Sequence, residues 1–288
     1  MLKESSSTTK LRIVYDNSSG KPSLNDCLYR GKVYAGQFDK SIMAILARAR
    51  LMNNVLVMDL QSAFLQIVLD EEDRDSNRLL WPVDPLNSDI PQVLRFTRVT
   101  FGIISSPYLL GATVEYHLKK YEEKLAKEIC QGSYVDNFII QVARPEDIRP
   151  SVETARRIFW EGGFNCMQFG SNCRREIEQL PEEWKETKTN ISMLGIAWDT
   201  LQDSWTFKFP QTGDKISKRT ILSAIASLFD PNGYCSPTLL PAKRFQGEVW
   251  KTGFGWDEEL PEELKTRWKA IVLSWQAIEI TMLFNKTR

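Results

Sequence analysis

The sequence is poor in histidine, in paired cysteines and in net charge. His117 is its only histidine, so a histidine-rich metal site or a Ser-His-Asp triad is a weak prospect. It lies in a polar stretch of an expected helix and reads as a surface residue. The five cysteines, Cys27, Cys130, Cys166, Cys173 and Cys235, form no C-x-x-C pair. An odd number without metal spacing reads as reduced and intracellular. No apolar run is long enough to span a membrane, and no secretory h-region is seen. The glycosylation patterns at Asn17, Asn190 and Asn285 are therefore read as accidents. Lys plus Arg and Asp plus Glu are both 37, giving a formal net charge of zero. Tight nucleic-acid binding would then need a local basic groove.

What is present suits a folded protein. With 288 residues, 42% of them hydrophobic and 26% charged, the chain can bury a large core or build two to three subdomains. Residues 1–10 read as a frayed polar end, and Leu11 to Tyr15 as a short strand. Asp39 is a candidate N-cap for a helix near 40–51. Val55 to Leu60 is an apolar strand with Asp59 near its end. Residues 70–78 read as a solvated, charged connection. Leu79 to Trp81 and Val93 to Thr100 read as paired strands around a Pro-rich loop. Ser106 is a candidate N-cap and Pro107 suits the first turn of a helix, and Val114, Leu118, Tyr121, Leu125 and Ile129 carry its period to Ile129. A helix over 145–160 turns Val152, Ala155, Ile158 and Phe159 inward and stops at Gly162-Gly163. Strands are expected at 193–198 and 204–209, and amphipathic helices from Ile216 onward. The tryptophans Trp250, Trp256, Trp268 and Trp275 either pack a helical core there or dock a neighbour.

The stretch Ser133 to Ile140 organises the whole. It reads as a β-hairpin with a two-residue turn at Asp136-Asn137. Strand, helix, hairpin, helix is the core of a split β-α-β-β-α-β unit, in which the first strand lies beside the hairpin. Asp59 would then neighbour Asp136, and two strand-borne carboxylates suit two-metal phosphoryl transfer. Taken singly, Asp136 also reads as a turn residue and Asp59 as a strand-end cap.

The ordered set resembles the reverse transcriptase of BEL/Pao-type long-terminal-repeat retrotransposons, over roughly residues 11–276. The resemblance is carried by Leu11 to Asp16 with Ser23-Leu24-Asn25-Asp26, by Met58 to Ile67, and by Arg78-Leu79-Leu80-Trp81. It continues through Phe101-Gly102 with Ser105-Ser106-Pro107, Tyr134-Val135-Asp136-Asn137, Gly162-Gly163-Phe164 with Ser171-Asn172, and Leu194-Gly195-Ile196 with Trp198-Asp199. Lys218 to Ser223 and Phe229 to Gly233 match the region that follows. The family implies an α+β right-hand polymerase fold with fingers, a ferredoxin-like palm and a helical thumb. Fingers fall at about 1–38 and 70–100, palm at about 39–69 and 101–185. A primer-grip-like hairpin falls at 186–212, and a thumb or connection-like helical region at 213–288.

The same resemblance implies RNA-directed DNA synthesis on a primed RNA or DNA template, from deoxynucleoside triphosphates, with two Mg²⁺ ions, or Mn²⁺ in their place. Asp59 and Asp136 would be the metal ligands, with Asn137 beside them and the Leu60 carbonyl assisting. Arg12 would reach the triphosphate. Phe64 would be the steric gate against a ribose 2′-hydroxyl, or else a core aromatic. Phe101 and Gly102 would flank base and template, and Leu194, Gly195 and Ile196 would hold the primer end. The family's cytoplasmic particles imply a cytoplasmic location.

Two residues depart from the pattern. Where the family has a second aspartate, this chain has Asn137, a neutral and weaker ligand for a hard cation. Where it has a lysine that protonates pyrophosphate, this chain has Gln168, which cannot act as an acid, unless Arg174 or Arg175 substitutes. No ribonuclease H, protease or integrase unit is expected within the chain, which reads as a fragment of a larger polyprotein or a decayed copy. The expected function is an impaired or truncated polymerase. The alternative is an inactive relict that retains the fold and at most grips nucleic acid.

Overall fold

The computed structural model describes residues 15–31, 41–84, 91–210, 213, 215–276 and 280–283. The expected strand at Leu11 and the cap at Asp39 lie outside these residues. The elements, in chain order, are α1 (Leu24–Cys27), α2 (Ile42–Ala49), β1 (Val55–Leu60), β2 (Arg78–Pro82), β3 (Pro91–Arg95), α3 (Ser106–Leu118) and α4 (Lys124–Gln131). There follow β4 (Ser133–Tyr134), β5 (Asn137–Gln141), α5 (Ile148–Glu161), β6 (Cys166–Ser171) and α6 (Arg174–Glu178). The last group is β7 (Asn190–Met193), β8 (Ile196–Asp199), β9 (Ser204–Phe207), α7 (Lys218–Ser227), α8 (Ser236–Trp250), α9 (Glu262–Gln276) and β10 (Ile280–Leu283). The chain divides into two units. One comprises 1–41, 58–140 and 149–168, the other 42–57, 141–148 and 169–288.

The first unit is built on a sheet of order β4-β5-β1-β6. That is the strand order of a β-α-β-β-α-β unit, with the first strand central and beside the hairpin, as its element order predicts. Leu60 N–H donates to the Asp136 carbonyl at 3.1 Å, which ties the end of β1 to the hairpin turn. Helix α5 covers the sheet because its apolar residues recur at helical spacing. Val152, Ala155, Ile158 and Phe159 are fully buried, and the Phe159 ring packs on Phe138 with centroids 5.0 Å apart. β2 and β3 form a separate antiparallel pair in which Leu80 faces Val93.

Four expectations are corrected in this unit. The hairpin turn is Val135-Asp136, not Asp136-Asn137, because Tyr134 pairs with Asn137 and Ser133 with Phe138. Asn137 is thus the first residue of β5, and the positive φ falls on Val135 (59°). Local turn chemistry favours Asn at positive φ. It is overruled by burial of Phe138, Ile139 and Ile140, which fixes the register. The helix expected to run to Ile129 is two helices. Residues 119–123 leave it because their polar groups find partners on α5. The Tyr121 hydroxyl donates to the Glu161 carboxylate, and Arg157 bonds Glu123 at 2.7 Å. His117 is buried rather than on the surface, with its Nε2 against the Ile158 carbonyl at 2.6 Å. At the start of α3, Ser106 does not cap. It is the first helical residue, and its hydroxyl donates to the Thr100 carbonyl at 2.8 Å.

The second unit holds an antiparallel sheet of order β10-β9-β8-β7 and the helices α2, α6, α7, α8 and α9. The single strand expected at 193–198 is a hairpin, turning at Leu194-Gly195 with φ of 48° and 92°. Two consecutive positive φ values make a type I′ turn, which suits the twist of the flanking strands. The Gly195 position admits no side chain, since a Cβ would lie 2.8 Å from Phe229 Cε1. Strand β10 pairs with β9 from far along the chain, a non-local partner that local pattern does not disclose. Helices α7, α8 and α9 pack around Ile221, Ile225, Phe245, Val249, Trp268 and Trp275. Phe245 stacks on Trp268, and Trp268 meets Trp275 edge to face, each with centroids 5.7 Å apart. Two of the four tryptophans thus belong to this core. Trp256 instead remains 51% exposed against Trp250.

Candidate active site

The site grows from the end of β1. Val55 to Met58 are buried apolar residues that hold the strand in the sheet, and Asp59 follows on the same rigid element, half-buried. Asp136 arrives in the turn that the Leu60–Asp136 backbone bond clamps in place. Two carboxylates are thereby held at one end of adjacent strands. Burial, and then the negative charge of Asp136, push the Asp59 carboxyl up to about 7. The Leu60 N–H bond works in the other direction but is the smallest of these influences. Beyond Leu60, Gln61 is fixed by Asn165. Gln61 N–H donates to the Asn165 carbonyl at 3.0 Å, and Asn165 Nδ2 donates to Gln61 Oε1 at 2.8 Å.

Asn137 sits beside Asp136 and bonds to it, its Nδ2 donating to Asp136 Oδ1 at 2.8 Å. The thiol of Cys166, at the start of β6, is fully buried, and burial pushes its ionisation up. It therefore offers no thiolate to a metal. The donors brought together are hard carboxylate oxygens, and their mutual repulsion is what a divalent cation relieves, so the residues fit such an ion. No group of three or more His, Cys, Asp or Glu able to hold a metal occurs among the described residues.

The aromatic candidates also meet. Phe64 lies in the 3-10 turn Ala63–Gln66, which begins after Ser62 in the left-handed region (φ 52°). Its ring meets that of Phe101 edge to face, with centroids 5.2 Å apart. Phe64 is half-buried and Phe101 is 38% exposed, so neither is a closed core residue. Gly102 has φ 86°, and a Cβ there would lie 2.8 Å from the Tyr15 carbonyl oxygen. Only glycine passes this close to the chain at 15–17.

Asn25, within the Ser23-Leu24-Asn25-Asp26 match, anchors this segment. Its Nδ2 donates to the Gly102 carbonyl at 3.0 Å, and its Oδ1 accepts from Ile104 N–H at 2.9 Å. Asn17 adds a bond from its Nδ2 to the Phe101 carbonyl at 3.3 Å. The available signal was the Ser23-x-x-Asp26 capping box, which is formed and presents Asn25 on a fixed helical turn.

Other predicted residues fall elsewhere. Arg12 lies outside the described residues. Leu194, Gly195 and Ile196 belong to the second unit, at the β7–β8 turn. Gln168 is exposed, with φ 56° inside β6. Arg174 is engaged by Glu178 at 3.3 Å and by the Thr187 carbonyl.

No helix among the described residues is long and apolar enough to cross a membrane. A search of curated proteins finds no match. Two family models do match. Reverse transcriptase (RNA-dependent DNA polymerase) covers residues 5–167, and the Pao retrotransposon-like RNaseH-like domain covers 217–284. The second match corrects the expectation that no ribonuclease H-related unit lies within the chain. That segment folds as α7, α8, α9 and β10. The first match spans more than half the chain and contains the Asp59–Asp136 site, so the chain belongs to the reverse transcriptase family, with its polymerase domain followed by a Pao-type RNaseH-like domain, as in a BEL/Pao retrotransposon polyprotein.

Proposed function

We propose that the chain is an RNA-directed DNA polymerase that extends a primer on an RNA or DNA template from deoxynucleoside triphosphates. The observation that carries this is the seating of Asp59 and Asp136 at one end of adjacent strands, clamped by the Leu60–Asp136 backbone bond. Asp59 and Asp136 would hold divalent cations, Mg²⁺ or Mn²⁺, which when bound activate the primer 3′-hydroxyl and neutralise the phosphates. Two such ions carry four positive charges. The two aspartates offset two of them, and the triphosphate of the nucleotide supplies the rest.

The chain's own residues supply position. Phe64, steadied by Phe101, stands as the steric gate that rejects a 2′-hydroxyl. Gly102, held by Asn25, lets template and base pass close to the backbone. Leu194, Gly195 and Ile196 serve as the primer grip, and Arg12 as the triphosphate contact. In this reading the β4-β5-β1-β6 sheet is the palm, within 39–69 and 101–185, and 1–38 with 70–100 are the fingers. Residues 186–212 form the primer-grip-like hairpin, ahead of the RNaseH-like segment at 217–284. Work within cytoplasmic particles fits cysteines that are all free.

Asn137 and Gln168 point to a reduced rate, since neither supplies the charge or the proton of an acid. Loss of about 3–4 kcal/mol of transition-state stabilisation corresponds to roughly a hundred- to a thousandfold in rate. Primer extension on an RNA template tests the proposal. Extension by the native chain and none by Asp59→Ala supports it. Extension only by Asn137→Asp means an intact scaffold silenced by one lost carboxylate. Extension by neither leaves the relict reading.

A further inference from the structure

Asn137 stands where a third carboxylate would complete the acidic set, and its side chain does something a carboxylate cannot. The Nδ2 group donates to Asp136 Oδ1 at 2.8 Å. An ionised aspartate has no proton to donate. The nitrogen and oxygen of a planar amide diverge from one carbon. The atom that Asn137 turns to the Asp136 carboxylate is thus a donor, and an amide nitrogen offers no lone pair to a cation. Backbone pairing reinforces the arrangement, because Asn137 is locked opposite Tyr134 as the first residue of β5 and cannot trade places with the turn residue.

We infer that Asn137 is a positioning residue that fixes the Asp136 carboxylate through its N–H, and that the chain without nucleotide holds one divalent cation, not two. This rests on the reading of Asp59 and Asp136 as cation ligands. Two carboxylates balance one divalent ion, and the neighbouring amide adds no charge to attract a second. An aspartate at 137 would do the opposite. It would remove the donor and add beside Asp136 a charge that attracts a second ion.

The test is a Mn²⁺ titration of the nucleotide-free chain, followed by electron paramagnetic resonance, in which free and bound ions are counted directly. The native chain is expected to bind one ion. Asn137→Ala keeps that count and binds about tenfold more weakly, the worth of a lost hydrogen bond to a charged group. Asn137→Asp binds two. Circular dichroism checks folding, and Asn137→Leu, of similar size and without a polar head, replaces the alanine variant if that one does not fold. Two ions on the native chain, or unchanged affinity in Asn137→Ala, overturns the inference. Undiminished binding by Asp59→Asn instead overturns the cation-site reading beneath it.

Discussion

The rings of Phe64 and Phe101 meet edge to face at a centroid distance of 5.2 Å and an interplanar angle of 82°. One follows the strand that carries Asp59, and the other lies in the segment pinned by Asn17 and Asn25. The position of the Phe64 ring is therefore set by a partner 37 residues further along the chain.

Phe101→Ala is expected to loosen Phe64 and lower discrimination against ribonucleotides without removing the gate. An edge-to-face pair is worth about 0.5–1.5 kcal/mol, so the ratio of deoxy- to ribonucleotide incorporation should fall by about 2- to 10-fold. Single-nucleotide extension with paired dNTP and rNTP measures it. An unchanged ratio would separate Phe101 from the gate.

Asn25→Ala removes the acceptor of Ile104 N–H and the donor to the Gly102 carbonyl. Stability should drop by about 1–3 kcal/mol in denaturant unfolding. Nucleotide KM should rise as Gly102 loses its tether. Gly102→Ala should reproduce both effects through the 2.8 Å approach to the Tyr15 carbonyl. A loss of stability with KM unchanged would make the clamp purely structural.

The Asp59 carboxyl is raised to about 7 by burial and by Asp136. In the unfolded chain it titrates near 3.8. Between these values the folded state holds a proton that the unfolded state has lost. Stability of the metal-free chain from this group is therefore fully present below the unfolded value and falls as pH rises through about 7. Asp59→Asn should raise the melting temperature near pH 8 and leave it little changed near pH 4. Thermal scans at the two pH values, with and without Mg²⁺, check this. Mg²⁺ should stabilise the native chain and not the variant.

In the second unit, buried Asp203 accepts from Trp198 Nε1 at 3.0 Å and from Asn172 Nδ2 at 2.8 Å. Asn172 also accepts from Val55 N–H at 2.9 Å. Asp203→Ala should cost about 1–3 kcal/mol by stranding a buried donor of the β8 tryptophan. Urea unfolding with an unchanged slope would show that stability alone has moved.

What the sequence determined by itself is what short-range chemistry controls. The apolar run of β1 placed Asp59 on a strand, and helical spacing placed Val152, Ala155, Ile158 and Phe159 on the buried face of α5. The order of these elements was enough to anticipate β1 beside the hairpin. Tertiary structure decided the rest, because it depended on partners distant in sequence. The turn moved to Val135-Asp136 since burial of the β5 side chains outweighs the local preference of Asn for positive φ. The helix broke at 119–123 because Tyr121 and Glu123 gained partners on α5 that periodicity does not register. His117 went inside for the same kind of reason, taking a carbonyl on α5. Asn25, a polar residue in a four-residue helix, became a clamp only when folding brought Gly102 and Ile104 to it. Residue type and spacing can name the groups that could react. Which of them meet is fixed by long-range burial and hydrogen bonding.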